Sequence, residues 1–182
     1  MDILPIFHGG DQTKWVADGI TWDLLGLLEA WEGSQVLDLG DGASVRIPTL
    51  PAMIALKIVA WGAREDRKDA GDLRLLLAAA VEEGEAASWE SDDAALLAHP
   101  GFEGDIRQVA AYRVGRELQT QLREDTLGRC RELLGDDGEQ LWLAAESTVS
   151  PYGTAQRRDR TVIQRGARAR LVAFTKGLTY GR

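Results

Sequence analysis

The sequence has one cysteine, Cys130, and two histidines, so it lacks the residues from which disulfide frameworks and zinc clusters are built. A lone thiol is typical of a protein kept in a reducing compartment. No apolar run approaches the ~18 residues that a transmembrane helix needs. No basic segment leads an apolar one at the start, as it would in a secretory signal. We therefore expect a cytoplasmic protein with no membrane partner.

Charge is spread unevenly along the chain. The whole chain carries a formal net charge of −8. From Pro151 to Arg182, eight basic residues accompany a single acid, Asp159, so this tail carries +7 and leaves −15 for the remainder. A basic tail on an acidic body has two interpretations, because it either binds a polyanion or docks on its own body.

The same tail has the pattern of an amphipathic helix. An apolar stripe recurs at helical spacing and consists of Ile163, Ala167, Leu171, Phe174 and Leu178. Arg165, Arg168 and Lys176 fall on the opposite side. We predict a helix that docks by its apolar face. Its basic outer face either contacts an RNA phosphate backbone or is a solvated surface that balances the acidic body.

The first quarter of the chain favours β-structure. Hydrophobic residues make up 45% of the 182 residues, which is enough for a real core. Within residues 1–48 the clearest signal lies between Val36 and Ile47, where apolar residues flank Gly40-Asp41-Gly42. Alternating apolar residues around a glycine-bearing turn predict a β-hairpin.

From Thr49 onward the pattern becomes helical. Thr49 is a plausible N-cap with Pro51 in the first turn of the helix that follows. We predict a second helix that ends near Gly84 and, farther along, a long helix that is broken near Gly115. The chain is thus expected to be an α+β protein, with a small sheet first and an all-helical part after it.

The first of these helices has an unusual surface. At 100° per residue, Met53, Lys57, Ala60 and Arg64 fall within roughly 60° of one another, and apolar residues cover most of the rest. An unpaired buried ammonium is costly, so the basic stripe must face water, acids or an anionic ligand. A solvated stripe with partly covered side-chain stems is the alternative.

Two acids open the next helix. Asp69 and Asp72 are three residues apart, which puts both on one side of the first turn. Simple capping would also explain them, with Asp69 at the N-cap and Asp72 complementing the helix dipole. Both acids lie within sixteen residues of Lys57, so the four charges are candidates for one site.

These charges carry a family resemblance. Two segments, Lys57-x-x-Ala60-x-x-x-Arg64 and Asp69-x-x-Asp72, resemble the paired helical motifs of AbiEii/AbiGii-type nucleotidyltransferases. Members of that family are toxins of bacterial toxin–antitoxin and abortive-infection systems. The order of elements is also similar to the family's, with a hairpin before the Lys/Arg helix and a helical domain after the acidic one.

The opening of the chain adds to the resemblance. Asp2-Ile-Leu-Pro resembles the strand segment that carries the third acid of a polymerase-β-like active site. The similarity covers residues 1–83 and is architectural beyond them. It implies a partial polymerase-β-like nucleotidyltransferase sheet followed by a helical C-terminal region. Residues 1–85 would be the C-terminal half of a nucleotidyltransferase-like domain, and residues 86–182 a helical domain with a basic C-terminal helix.

The resemblance implies metal-dependent transfer of a nucleotidyl group from a nucleoside triphosphate to RNA or protein. Such chemistry uses carboxylates to hold two divalent ions, here Mg²⁺, and positive side chains to stabilise the phosphates. Asp2 would be a catalytic metal ligand. Lys57 and Asp69 would act with it, and Arg64 and Asp72 would bind the substrate. The implied partners are the nucleoside triphosphate, tRNA or another RNA held by the basic C-terminal helix, and a cognate antitoxin.

One part of the family's pattern is missing. A glycine motif and an Asp-x-Asp strand should precede the segment equivalent to Asp2, and only Met1 precedes it here. We therefore expect a truncated reading of a longer gene, inactive on its own. Two alternatives stay open: a non-catalytic module that binds a nucleotide or a partner, and an RNA-binding accessory protein that uses the basic tail.

Overall fold

The computed structural model describes residues 14–17, 20–102, 104–136, 138–147 and 157–180. The strands are β1 (Lys14–Ala17), β2 (Ile20–Asp23), β3 (Gln35–Gly40) and β4 (Ala43–Ile47). The helices are α1 (Leu27–Glu32), α2 (Leu50–Arg64), α3 (Arg67–Trp89), α4 (Ile106–Gln121), α5 (Glu124–Asp136), α6 (Gly138–Ser147) and α7 (Arg157–Thr179), with a 3₁₀ helix at Asp92–Ala98. The described chain is mostly helical and all four strands lie before residue 48, so the prediction of an α+β protein is confirmed. The polymerase-β-like nucleotidyltransferase sheet stays a prediction.

The strands form two separate antiparallel hairpins, β1–β2 and β3–β4. The second is the predicted one, and its two-residue turn consists of Asp41 and Gly42, with φ of 51° and 76°. Two central residues with positive φ give the turn whose twist matches that of paired strands, and Asp-Gly is a preferred sequence for it. Every residue of β3 and β4 is exposed, so this hairpin stands outside the core.

The start of α2 is as predicted. The Thr49 side chain accepts a hydrogen bond from the backbone N–H of Ala52, and Pro51 lies in the first turn. The start of α3 differs from the capping alternative, because the N-cap is Asp66, whose side chain accepts from the N–H of Lys68. Asp69 is therefore not the N-cap, and its carboxylate is available for other contacts.

The predicted end of the second helix near Gly84 is wrong, because α3 continues to Trp89. Good helix formers surround Gly84, and a single glycine costs a helix only about 1 kcal/mol relative to alanine. The Ser88 hydroxyl also donates to the carbonyl oxygen of Gly84 across one turn, at 2.8 Å. The predicted division between residues 85 and 86 thus falls inside a continuous helix.

The predicted break near Gly115 is also wrong. Gly115 lies in the middle of α4 and is buried, and a Cβ placed on it would overlap the carbonyl oxygen of Phe174 in α7. The reciprocal holds for Gly177 of α7, where a Cβ would overlap the carbonyl oxygen of Tyr112 in α4. The two glycines let the backbones of α4 and α7 approach each other closely.

The chain breaks instead between α4 and α5, at Leu122 and Arg123. Here α1 contributes a long-range cap. A carboxylate oxygen of Glu29 accepts from the backbone N–H of Arg123 at 3.3 Å and from the hydroxyl of Thr126 at 2.6 Å. An acceptor at this position satisfies polar groups that the first turn of a helix leaves without intrahelical partners.

One hydrophobic core joins the long helices. Its buried members come from α2 through α7, and the fully enclosed ones include Ile54, Ile58, Leu118, Leu141 and Phe174. None of the helices in the described part of the chain combines the length and the hydropathy that crossing a membrane requires.

Candidate functional site at the α2–α3 corner

The predicted basic stripe lies on the least buried side of α2. Ile54, Ala55 and Ile58 are fully buried on its other sides. The side chains of Lys57 and Arg64 keep 29% and 49% of their surface exposed. Both charges therefore meet water while their stems lie against the protein, as the sequence pattern predicts.

The four predicted charges meet in one cluster. Asp69 is 2% exposed, and its two oxygens accept separately, Oδ1 from Lys57 Nζ at 3.1 Å and Oδ2 from Arg64 Nη2 at 2.6 Å. Asp72 Oδ2 lies 2.7 Å from the same Lys57 Nζ. We call Lys57, Arg64, Asp69 and Asp72 the charge cluster.

The turn between α2 and α3 sets this geometry. Glu65 adopts a left-handed conformation with φ of 49°, and its N–H donates to the carbonyl oxygen of Trp61 at 2.7 Å. That conformation stops α2, and the Asp66 cap then starts α3 almost at once. The first turn of α3 consequently lies against the last two turns of α2, where Lys57 and Arg64 are.

The charges of the cluster support one another. Partial burial alone would lower the pKa of Lys57, but the hydrogen bonds and negative charges of Asp72 and Asp69 outweigh it and raise that pKa above its usual value. Lys57 is therefore an ammonium ion throughout the physiological pH range. The buried carboxylate of Asp69 is matched by two cations, which offsets the cost of removing it from water.

The described residues do not fit a magnesium site. Mg²⁺ is held by oxygen ligands, usually carboxylates together with water and phosphate. Each oxygen of Asp69 already accepts from a cation, and Asp72 shares its charge with Lys57. Within the described ranges no group of three or more histidine, cysteine, aspartate or glutamate side chains is placed to hold a metal. Asp2, the predicted metal ligand, lies outside the described residues.

An apolar groove of about 350 Å³ opens beside the charge cluster. Its walls come from α2 and α3 and consist of Met53, Leu56, Leu75 and Leu76, with Lys57 and Asp72 on the rim. Leu75 is 62% exposed, which is unusual for a leucine in the middle of a long helix. The groove is not evident from the sequence, because the apolar run around Leu75 has the pattern of ordinary core. Only the packing of α3 shows that one side is uncovered.

The basic tail contacts its own body where the structure describes its side chains. Leu171, Phe174 and Leu178 are buried, which confirms the apolar face of α7. Arg168 lies 3.7 Å from a carboxylate oxygen of Glu139, and Lys176 Nζ lies 5.6 Å from the centre of the Phe102 ring. The side chains of Ile163 and Arg165 lie outside the described set, and contact with RNA stays a prediction.

Comparison with protein-family models, with curated proteins and with solved structures found no match to this chain. The assignment of a role to the charge cluster therefore depends on its own geometry and on the motif resemblance.

Proposed function

We propose that this chain is a nucleotidyltransferase-like protein of the AbiEii/AbiGii type, in which the charge cluster holds the triphosphate of a nucleoside triphosphate. One observation supports this most directly. Asp69, itself buried, holds Lys57 and Arg64 side by side while both cations stay open to solvent. Two preorganised cations at one corner are what a triphosphate needs for binding.

The donors of the cluster are only partly used. An ammonium group has three N–H donors, and two of those on Lys57 are directed at Asp69 and Asp72. Among the described residues the third has no partner, which leaves it for a phosphate oxygen. Arg64 has five donors, of which one nitrogen, Nη2, is engaged by Asp69. Asp69 is thus a positioning residue, and Lys57 and Arg64 are the groups that would touch the substrate.

Transfer of the nucleotidyl group also needs the divalent ion that the resemblance implies. That ion would neutralise the triphosphate and activate the attacking hydroxyl. The described residues provide no site for it, so the role proposed for them is limited to binding and orienting the triphosphate.

The direct test is binding of magnesium tripolyphosphate, measured by isothermal titration calorimetry. We expect Lys57→Met to weaken binding about tenfold or more, since a charge-assisted hydrogen bond is lost. Lys68→Met is the matched control, because Lys68 is an exposed lysine one residue from Asp69 that lies outside the charge cluster. Equal affinity for both variants, or no binding by the unaltered protein, would contradict the proposal.

A further inference from the structure

Building on the proposed function, we propose that the apolar groove between α2 and α3 holds the nucleobase of the bound nucleotide, and that Asp72 selects bases with an exocyclic amino group. The groove and the charge cluster share two residues, Lys57 and Asp72, which form its rim. A triphosphate held by Lys57 would bring its nucleoside within reach of the groove.

The size and chemistry of the groove fit a base. Its volume of about 350 Å³ lies at the lower end of the range for small-molecule sites, roughly 300–1,000 Å³. Its walls are methionine and leucine side chains, and proteins commonly hold an unpaired base between apolar or aromatic surfaces. Leu75, which is 62% exposed, provides apolar surface that a base would cover.

The free oxygen of Asp72 supplies the selectivity. Its Oδ2 contacts Lys57 at 2.7 Å, and among the described residues its Oδ1 has no hydrogen-bond partner. The side chain is 35% exposed and lines the groove. A carboxylate accepts from an amino group such as N4 of cytosine, but it repels a carbonyl oxygen such as O4 of uracil. Cytosine and uracil are therefore the pair that distinguishes this contact best.

The test compares the affinities of magnesium tripolyphosphate, CTP and UTP by calorimetry. We expect CTP to bind about tenfold more tightly than UTP, because the hydrogen bond to a charged acceptor is made by cytosine alone. We expect Asp72→Asn to reduce this ratio to about one, since an amide can donate as well as accept. The ratio is a sound readout because any change in how Lys57 holds the triphosphate affects both nucleotides equally.

The groove itself is tested with exposed leucines. Leu75→Ser should weaken CTP binding about tenfold and leave tripolyphosphate binding unchanged, because it removes apolar contact with the base alone. Leu143→Ser is the matched control, since Leu143 is 61% exposed on α6 and does not line the groove. Circular dichroism of both variants is the check that each is folded.

The outcomes separate the two proposals. If tripolyphosphate, CTP and UTP bind with equal affinity, the groove does not hold the base, and the triphosphate contact proposed for the charge cluster still stands. If none of them binds, the proposed function is overturned and the base site with it. If CTP and UTP bind equally and both lose affinity in Leu75→Ser, the groove holds a base and the role assigned to Asp72 is wrong.

Discussion

Two helix pairs of this molecule are joined in opposite ways. α4 and α7 meet through apolar side chains and through Gly115 and Gly177, which let their backbones touch. α2 and α3 also share apolar contacts, but their corner is closed by Asp69, a buried carboxylate with two cationic partners.

The difference between these two helix contacts bears on the role proposed for the charge cluster. A buried ion pair is often no more stabilising than well-packed apolar residues of similar volume, because each charge loses its hydration. Among the described residues, α4 and α7 are joined without a buried carboxylate. A contribution to stability therefore does not explain why charged residues occupy the contact between α2 and α3. This supports a binding role for the charge cluster.

The largest effect is expected where the backbones touch. Gly177→Ala should lower the free energy of unfolding by about 2–3 kcal/mol, because the new Cβ overlaps the carbonyl oxygen of Tyr112 and the helices must separate. Gly128→Ala makes the same chemical change in α5, where no atom lies within 4 Å of the added Cβ. It should raise stability by up to about 1 kcal/mol. Urea denaturation of both variants checks this, and equal changes would contradict the close approach of α4 and α7.

A smaller effect is expected at the charge cluster. Asp69→Ala should cost about 1–3 kcal/mol, less than a fully buried pair, because the freed Lys57 and Arg64 side chains reach water. Asp93→Ala is the matched control, since Asp93 also has two cationic partners, both arginines, but at 3.4 and 3.8 Å and with 25% of its side chain exposed. It should cost less than about 1 kcal/mol. If both variants lower the free energy of unfolding by the same amount, the burial of Asp69 does not strengthen its ion pairs.

The smallest effect concerns alkaline pH. The pKa of Lys57 is raised in the folded state, so its charge stabilises the protein fully below the unfolded value of 10.5, and that contribution is lost as pH rises through the folded pKa. The stability difference between the unaltered protein and Lys57→Met should therefore stay constant up to about pH 10 and shrink as the pH rises further, through the folded pKa of Lys57. Lys68→Met serves as the control for removing a lysine that lies outside the charge cluster. A difference that grows with pH would contradict the coupling between Lys57 and its acids.

Local chemistry made part of this structure predictable. The Asp41-Gly42 turn and the Thr49 cap follow from backbone preferences of a few adjacent residues. The meeting of Lys57 with Asp69 follows from helical spacing on either side of a short turn. The cap of α3 is Asp66 and not Asp69. The sequence did not predict this, because the N-cap is the last residue before the helical conformation begins. Two acids three residues apart do not show where that is.

The error at Gly115 and the missed groove come from packing between helices, which a local sequence pattern does not specify. Gly115 looks like a helix breaker when only its neighbours are considered, yet its partner is the backbone of α7 near Phe174. The exposed side of Leu75 likewise depends on how α3 packs against the rest of the molecule. The assignment of Asp2 as a metal ligand stays a prediction, since Asp2 lies outside the described residues.

The Glu29 cap has a consequence for the order of folding. This carboxylate completes the first turn of α5 from a position 97 residues away in the sequence, through Thr126. A contact between residues so far apart in the sequence closes a long loop. Closing the loop costs conformational entropy, which opposes early formation of the contact during folding. We expect most of α5 to form early, together with the helices it packs against. Its first turn should be stabilised only late in folding, when α1 packs against it. Mutation of Glu29 should then speed unfolding while leaving the folding rate nearly unchanged.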